Sequence, residues 1–140
     1  MNRSSTATEI GWLLDDLVSR VDAIKKLILL SQDGLVVSAS SNVARADADV
    51  LAAMSSGIFS LAHGARNHFG GDHLKQAIIE IDRMLYFVIP AGPSTCLAVL
   101  SESGPNAGGV AYETAVLVKR LQGHLGVAPR DSASTGMGPG

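Results

Sequence analysis

One segment of this chain lacks formal charge over about four turns of helix. Residues 50–65 contain no Lys, Arg, Asp or Glu, and their composition and spacing are typical of a helix rather than a strand. A helix at the surface of a globular protein normally has an apolar stripe on one side and charges on the other. Here the second side is made of small residues, so we expect both sides to be buried. The apolar stripe is Val50, Leu51, Met54, Ile58 and Leu61, and the small one is Ala53, Gly57, Ser60 and Gly64.

The length of the chain limits what can cover this helix. With 140 residues, the chain has little protein of its own to place against both stripes. Small residues also allow a second backbone to approach closely. We therefore expect the chain to associate with a second copy of itself.

The composition excludes several classes of partner. The 11 basic and 13 acidic residues give a net charge of -2, which offers no cationic field for nucleic acid, and 4% aromatic residues supply few stacking platforms. Cys96 is the single cysteine, so no intramolecular disulfide forms, and residues 1–10 lack the apolar core of a signal peptide. We expect a cytoplasmic protein with no direct membrane insertion.

Periodicity along the chain predicts three helices and five strands. Asp33-Gly34 indicates a hairpin, and Gly70-Gly71 ends the uncharged helix. Residues 84–101 are uncharged too, but Pro90 and its neighbours divide them into two strand-length pieces, which favours a buried hairpin over a membrane span. The helices are expected at residues 6–21, 44–68 and 108–125, and the strands at 23–30, 35–39, 73–81, 84–89 and 95–100.

This order predicts an α/β fold, namely a three-layer α/β/α sandwich around a five-stranded antiparallel sheet. Short links between successive strands favour antiparallel pairing, and apolar residues on both faces of the strands require helices on both faces. If the strand at residues 73–81 lies at an edge, its unpaired backbone groups invite pairing with another chain. We expect one domain at residues 7–126, a flexible N-terminus at 1–6 and a disordered tail at 127–140.

The element order, the hairpin Leu-Ser-Gln-Asp-Gly-Leu-Val-Val at residues 30–37 and the small-residue helix resemble the roadblock/LC7 family. More narrowly, the chain is similar to bacterial roadblock proteins encoded beside a histidine-kinase-like sensor and a small Ras-like GTPase. The resemblance implies a profilin-like sheet and a homodimer joined through the second helix and the third strand. It also implies a non-enzymatic platform that binds a small Ras-like GTPase and regulates its nucleotide state or location.

These expectations select one set of residues for the dimer interface. The second helix would contribute its small residues and their apolar neighbours, and the third strand would contribute alternate residues. The set is Ala53, Met54, Gly57, Ile58, Ser60, Leu61, Gly64, Lys75, Ala77 and Ile79.

We expect no catalytic, cofactor or metal site. No Gly-x-x-x-x-Gly-Lys-Ser/Thr sequence is present for P-loop nucleotide binding. His63, His68 and His73 are five apart, so on a helix successive side chains would diverge by about 140°. Cys96 lies in an apolar strand and has no neighbour in sequence that would activate it. Arg45, Arg66 and Arg83 are interpreted as surface charges rather than as arginine fingers.

Two other functions stay open on the sequence. An α/β sandwich of this size can open a pocket between sheet and helix, as a small-molecule-sensing module would, and a scaffold for the sensor kinase needs only a docking surface. Against a ligand site, the core positions carry Leu, Ile and Val with no converging polar groups. An enzyme is disfavoured because no nucleophile, base and orienting group are brought together by the sequence.

Overall fold

The computed structural model describes residues 3–125 and contains the predicted order of three helices and five strands. A short 3₁₀ helix, Pro105–Ala107, precedes the last helix. The predicted tail at residues 127–140 lies outside the described residues. The helices are α1 (Arg3–Arg20), α2 (Arg45–Phe69) and α3 (Val110–His124), and the strands are β1 (Ile24–Ser31), β2 (Val36–Ala39), β3 (Ala77–Ile81), β4 (Met84–Gly92) and β5 (Thr95–Glu102).

The five strands form one sheet in the order β2-β1-β5-β4-β3, and every neighbouring pair is antiparallel. The predicted antiparallel sheet is therefore confirmed. Strands β2 and β3 occupy the two edges, with the last strand, β5, beside β1 at the centre. The possibility that the third strand lies at an edge is confirmed as well.

The strand β1 shows why helices lie on both faces of the sheet. Leu27, Ile28, Leu29 and Leu30 are all fully buried, and successive side chains of a strand point to opposite faces. Leu27 and Leu29 join the core beneath α1 and α3, whereas Ile28 and Leu30 join the core beneath α2. The three-layer α/β/α sandwich predicted from the sequence is confirmed.

Two element boundaries differ from the prediction. Helix α1 begins at Arg3 rather than at residue 6, so part of the segment expected to be a flexible N-terminus is helical. Strand β3 begins at Ala77 rather than at His73. Because Ala77 pairs with Val88, a longer ladder would place Lys75 opposite Pro90, which has no N–H to donate.

Candidate functional site

Helix α2 has two unlike faces. The side against the sheet buries Ala48, Leu51, Ala52, Ser55 and Phe59, at the spacing of one helical face. The opposite side is uncharged and exposed, and we call it the outer face of α2. It consists of Val50, Ala53, Met54, Gly57, Ser60, Leu61 and Gly64.

The structure divides this helix differently from the two predicted stripes. Leu51 alone of the predicted apolar stripe is fully buried, and Ile58 is half-buried. Val50, Met54 and Leu61 are 57%, 50% and 76% exposed, so they lie on the same side as the small residues. One copy of the chain therefore covers only the sheet side of this helix.

The two glycines of the outer face have no role in packing within one copy. A Cβ atom added at Gly57 or Gly64 would meet no other atom within 4 Å. Each glycine inside a helix costs about 0.5–1 kcal/mol relative to alanine. No contact among the described residues offsets that cost. Close approach of a second backbone at these positions would explain why they are glycine.

Hydrogen bonds beneath and beside α2 fix its position on the sheet. Ser55 Oγ and Tyr86 Oη of β4 lie 2.5 Å apart in the buried core, and burial raises the pKa of the Tyr86 hydroxyl. Ser56 Oγ donates to the carbonyl oxygen of Gln32 at 2.5 Å. The hairpin turn at Gly34 thus docks on α2. Gly34 has φ +92°, where only glycine is unstrained, and an added Cβ would lie 3.5 Å from the Cβ of Ser56.

The edge strand β3 lies next to the second half of α2. Ala77 and Ile79 are half-buried and pack with Ile58 against the core beneath α2. Ile78 and Ile81 are about half exposed. Strand β3 pairs with β4 on one side only, so the described residues leave its other side without a partner strand. The outer face of α2 and this sheet edge together form the candidate site, which we call the α2–β3 surface.

Six of the ten residues predicted for the interface lie on the outer face of α2, whereas Ile58, Ala77 and Ile79 are half-buried against the core beneath α2 and Lys75 lies apart. Lys75 lines a groove of about 510 Å³ between α3 and the end of β4, together with Ile89, Pro90 and Lys119. The sequence grouped Lys75 with Ala77 and Ile79 by strand alternation. That grouping fails because Lys75 precedes the strand.

Sequence reasoning missed several residues of this region. Ser55 and Phe59 lie on the buried side of α2, and Ile81 lies exposed on the α2 side of the edge strand, whereas Ile78 points to the α1/α3 side. Phe69, at the end of α2, is 82% exposed. Leu51, Ser55 and Phe59 are spaced by four residues, which indicates one buried helical face. The polar Ser55 interrupts the apolar pattern, so this face is hard to recognise from the sequence.

The remaining candidates for chemistry take structural positions. Cys96 is fully buried, and burial raises the pKa of its thiol to about 11. His63 packs edge-to-face against Phe59 with ring centroids 4.5 Å apart. Arg45 pairs with Asp49 at 3.7 Å. Residues 3–125 contain no group of three potential metal ligands, and among their helices none is long and apolar enough to cross a membrane.

Known proteins share this chain's sequence pattern and fold. An uncharacterised protein of Methanocaldococcus jannaschii is 31% identical over 91 residues, covering 65% of this chain and 75% of that protein. A roadblock/LC7 domain from Streptomyces avermitilis is 41% identical with a TM-score of 0.77, covering 82% of this chain and 96% of that one.

Myxococcus xanthus MglB has the same fold at lower identity. Its TM-score is 0.76 at 19% identity, with 86% of this chain and 90% of that one covered. The sequence pattern of the Roadblock/LC7 domain itself matches residues 10–101. With that match across most of the sandwich, and a solved roadblock domain superposing on it, this chain belongs to the roadblock/LC7 family.

Proposed function

We propose that this chain is a non-enzymatic, homodimeric regulator of a small Ras-like GTPase in a cytoplasmic bacterial signalling system. The observation that carries the proposal is the α2–β3 surface, an uncharged helix face beside an open sheet edge. Membership of the roadblock/LC7 family supports this proposal, because the resemblance implies a non-enzymatic platform that binds a small Ras-like GTPase. A titration against a candidate GTPase in its two nucleotide states tests which GTPase is bound and in which direction it is regulated.

The chemistry of the α2–β3 surface favours a second copy as its occupant. Val50, Met54 and Leu61 leave large apolar side chains in water, which is unfavourable unless another surface covers them. Most oligomers of identical chains are closed by two-fold symmetry, in which one patch meets itself. Pairing β3 with the partner's β3 would also remove the open edge and join two five-stranded sheets.

Two features of the chain suit a regulator rather than a nucleotidase. The sequence has no P-loop, so the nucleotide would be held by the partner. Cys96 is buried with a raised pKa, and the described histidines do not converge on a shared site. A platform of this kind would act by contacting the mobile switch segments of a GTPase, whose order depends on the bound nucleotide.

The test is a titration of the full chain against the Ras-like GTPase encoded nearest its gene. The GTPase is loaded with GDP in one series and with a non-hydrolysable GTP analogue in the other, and light scattering gives the mass of each complex. A dimer of this chain that binds one loaded form more tightly supports the proposal and gives the sign of the regulation. Absence of binding to both forms would overturn the GTPase assignment and favour a scaffold for the sensor kinase.

A further inference from the structure

Large and small side chains on the outer face of α2 are arranged symmetrically in sequence about Gly57. Met54 and Ser60 are each three residues from Gly57, on opposite sides. Ala53 and Leu61 are each four residues away, and Val50 and Gly64 are each seven. Every such pair joins one large residue and one small one, and all six lie on the exposed side.

Two-fold symmetry turns this arrangement into contacts between copies. If the axis crosses α2 at one residue, the helices are antiparallel there, and a residue before the axis faces the partner's residue the same distance after it. With the axis at Gly57, Met54 faces the partner's Ser60 and Leu61 faces the partner's Ala53. Val50 faces the partner's Gly64, and Gly57 faces its own copy.

We propose that the two-fold axis of the homodimer passes through Gly57, so that each large side chain of one α2 fills the space above a small residue of the other. This inference rests on the proposed function, because it requires that the homodimer forms through the α2–β3 surface. The space exists in one copy, since an added Cβ at Gly57 or Gly64 meets nothing within 4 Å. The side chains that would fill such space are the exposed Val50, Met54 and Leu61.

Neighbouring positions for the axis lose this match. An axis midway between Gly57 and Ile58 would place Met54 against the partner's Leu61, two large side chains in one place. An axis at Ile58 would place Val50 against the partner's Arg66, which lies on the sheet side of the helix a half-turn from the outer face. Of these three positions, Gly57 is the one that opposes large to small at all three pairs.

The two ends of α2 also bear on the antiparallel arrangement. Asp49 is the last charge before the uncharged run and lies eight residues before Gly57, and Arg66 is the first charge after the run and lies nine residues after it. Arg66 lies on the sheet side of α2 and donates to Asp72 and Asn67 of its own copy, so these two charges do not select one position of the axis. The dipoles of antiparallel helices are favourably opposed.

Cysteine cross-linking in the full chain tests the position of the axis. Gly57→Cys should give a disulfide-linked dimer on mild oxidation, because residue 57 faces its own copy within disulfide reach. Gly64→Cys is the matched control, a glycine on the same exposed face of the same helix. Its two copies would be about 20 Å apart, beyond any disulfide, and should stay unlinked. The native Cys96 is fully buried, and the unmodified chain gives the background.

A mixed pair sharpens the same test. Ala53→Cys and Leu61→Cys should each fail to link alone but link when the two variants are mixed, because each position faces the other. Linking of Gly64→Cys, or of either single variant alone in preference to Gly57→Cys, would overturn the Gly57 axis. If the wild-type chain is monomeric by light scattering, the homodimer proposal itself is wrong. If the chain is dimeric but Gly57→Cys does not cross-link, only the proposed position of the axis is wrong.

An exchange of side-chain sizes tests the contacts without any cross-link. Met54→Ser leaves a gap and Ser60→Met opposes two methionines, so each should weaken the dimer about tenfold or more. The variant that carries both changes restores a large residue opposite a small one and should return to within about threefold of wild type. A double variant as weak as the two single effects combined would show that residues 54 and 60 do not meet.

Discussion

The two sides of the sheet differ in what their helices present to the outside. On one side, α1 and α3 lie together and are joined across their outer surface by one ion pair and one glutamate–histidine contact. Arg20 Nη1 lies 3.2 Å from Glu113 Oε1, and Glu9 Oε1 lies 3.3 Å from His124 Nε2. On the other side, α2 lies alone, and its outer face has no charge along residues 50–65.

The interiors beneath these helices differ as well. The core under α1 and α3 consists of aliphatic side chains and Phe87, beside which α3 buries Thr114, and none of these residues is ionisable. The core under α2 contains the Ser55–Tyr86 hydrogen bond and the thiol of Cys96. A helix without a neighbouring helix needs other means to fix its position, and the hydrogen bonds of Ser55 and Ser56 to Tyr86 and Gln32 provide them.

The α1/α3 side carries charges on its outer surface, whereas the outer face of α2 carries none. Charges on an exposed helix face are stable in water and unfavourable in an interface, because burying an unpaired charge is costly. A helix face that is exposed only to water normally carries charged residues, as α1 and α3 do. The outer face of α2 carries none. The α2 side suits contact with protein.

The largest expected change in dimer affinity comes from placing a charge on the outer face of α2, with the same substitution on α3 as the control. Gly57→Arg inserts a charge and a long side chain at the outer face of α2 and should weaken the dimer by about a hundredfold or more. Gly123→Arg on α3 is the matched control, because it is also an exposed helical glycine with nothing within 4 Å of an added Cβ. Light scattering over a dilution series measures both. A Gly57→Arg chain that stays dimeric would place the interface elsewhere.

Much of this difference was present in the sequence. The uncharged run at residues 50–65 predicted that α2 has no solvent face, and the order of elements predicted the sheet and its covering helices. The edge position of β3 followed as a possibility from short connections alone. The predictions of the sheet, its covering helices and the edge position of β3 are confirmed because they depend on chain connectivity, which a sequence shows directly. The burial of the outer face of α2 stays a prediction.

The faces of α2 and the beginning of β3 were harder to predict for physical reasons. When both sides of a helix lack charge, periodicity does not distinguish the side that meets the sheet, so Val50 and Leu51 were grouped although only Leu51 is buried. Strand β3 begins after Lys75 because the register of β3 with β4 would place Lys75 opposite Pro90. Registers of that kind are set by tertiary pairing and are absent from local patterns.

An intermediate effect should come from the polar contact that fixes α2. Tyr86→Phe leaves the Ser55 hydroxyl buried without its partner, and Ser55→Ala does the same to Tyr86, so each should lower the free energy of unfolding by about 1–3 kcal/mol. The double variant should lose less than the sum, because no orphaned hydroxyl remains. Urea unfolding measures all three.

Thr114→Val provides the control on the other side. The Thr114 hydroxyl donates to the carbonyl oxygen of Val110 in its own helix and holds no second element in place. Its replacement should cost less than either change at Ser55 or Tyr86. Equal losses at all three positions would show that the α2 side depends on its polar contact no more than the α1/α3 side does.

The smallest expected effect is a loss of stability that is absent at neutral pH and appears only at alkaline pH. Burial raises the pKa of the Cys96 thiol from 9.0 to about 11, and burial also raises the pKa of Tyr86. The unfolded chain therefore loses these protons at lower pH than the folded chain, so the free energy of unfolding should fall as pH rises from 9 to 11. Cys96→Ala removes the thiol contribution and should flatten the fall in urea unfolding measured across this range, and adding Tyr86→Phe should flatten it further. Because the core under α1 and α3 buries no ionisable group, a fall of the same steepness in the double variant would show that the alkaline sensitivity does not arise on the α2 side.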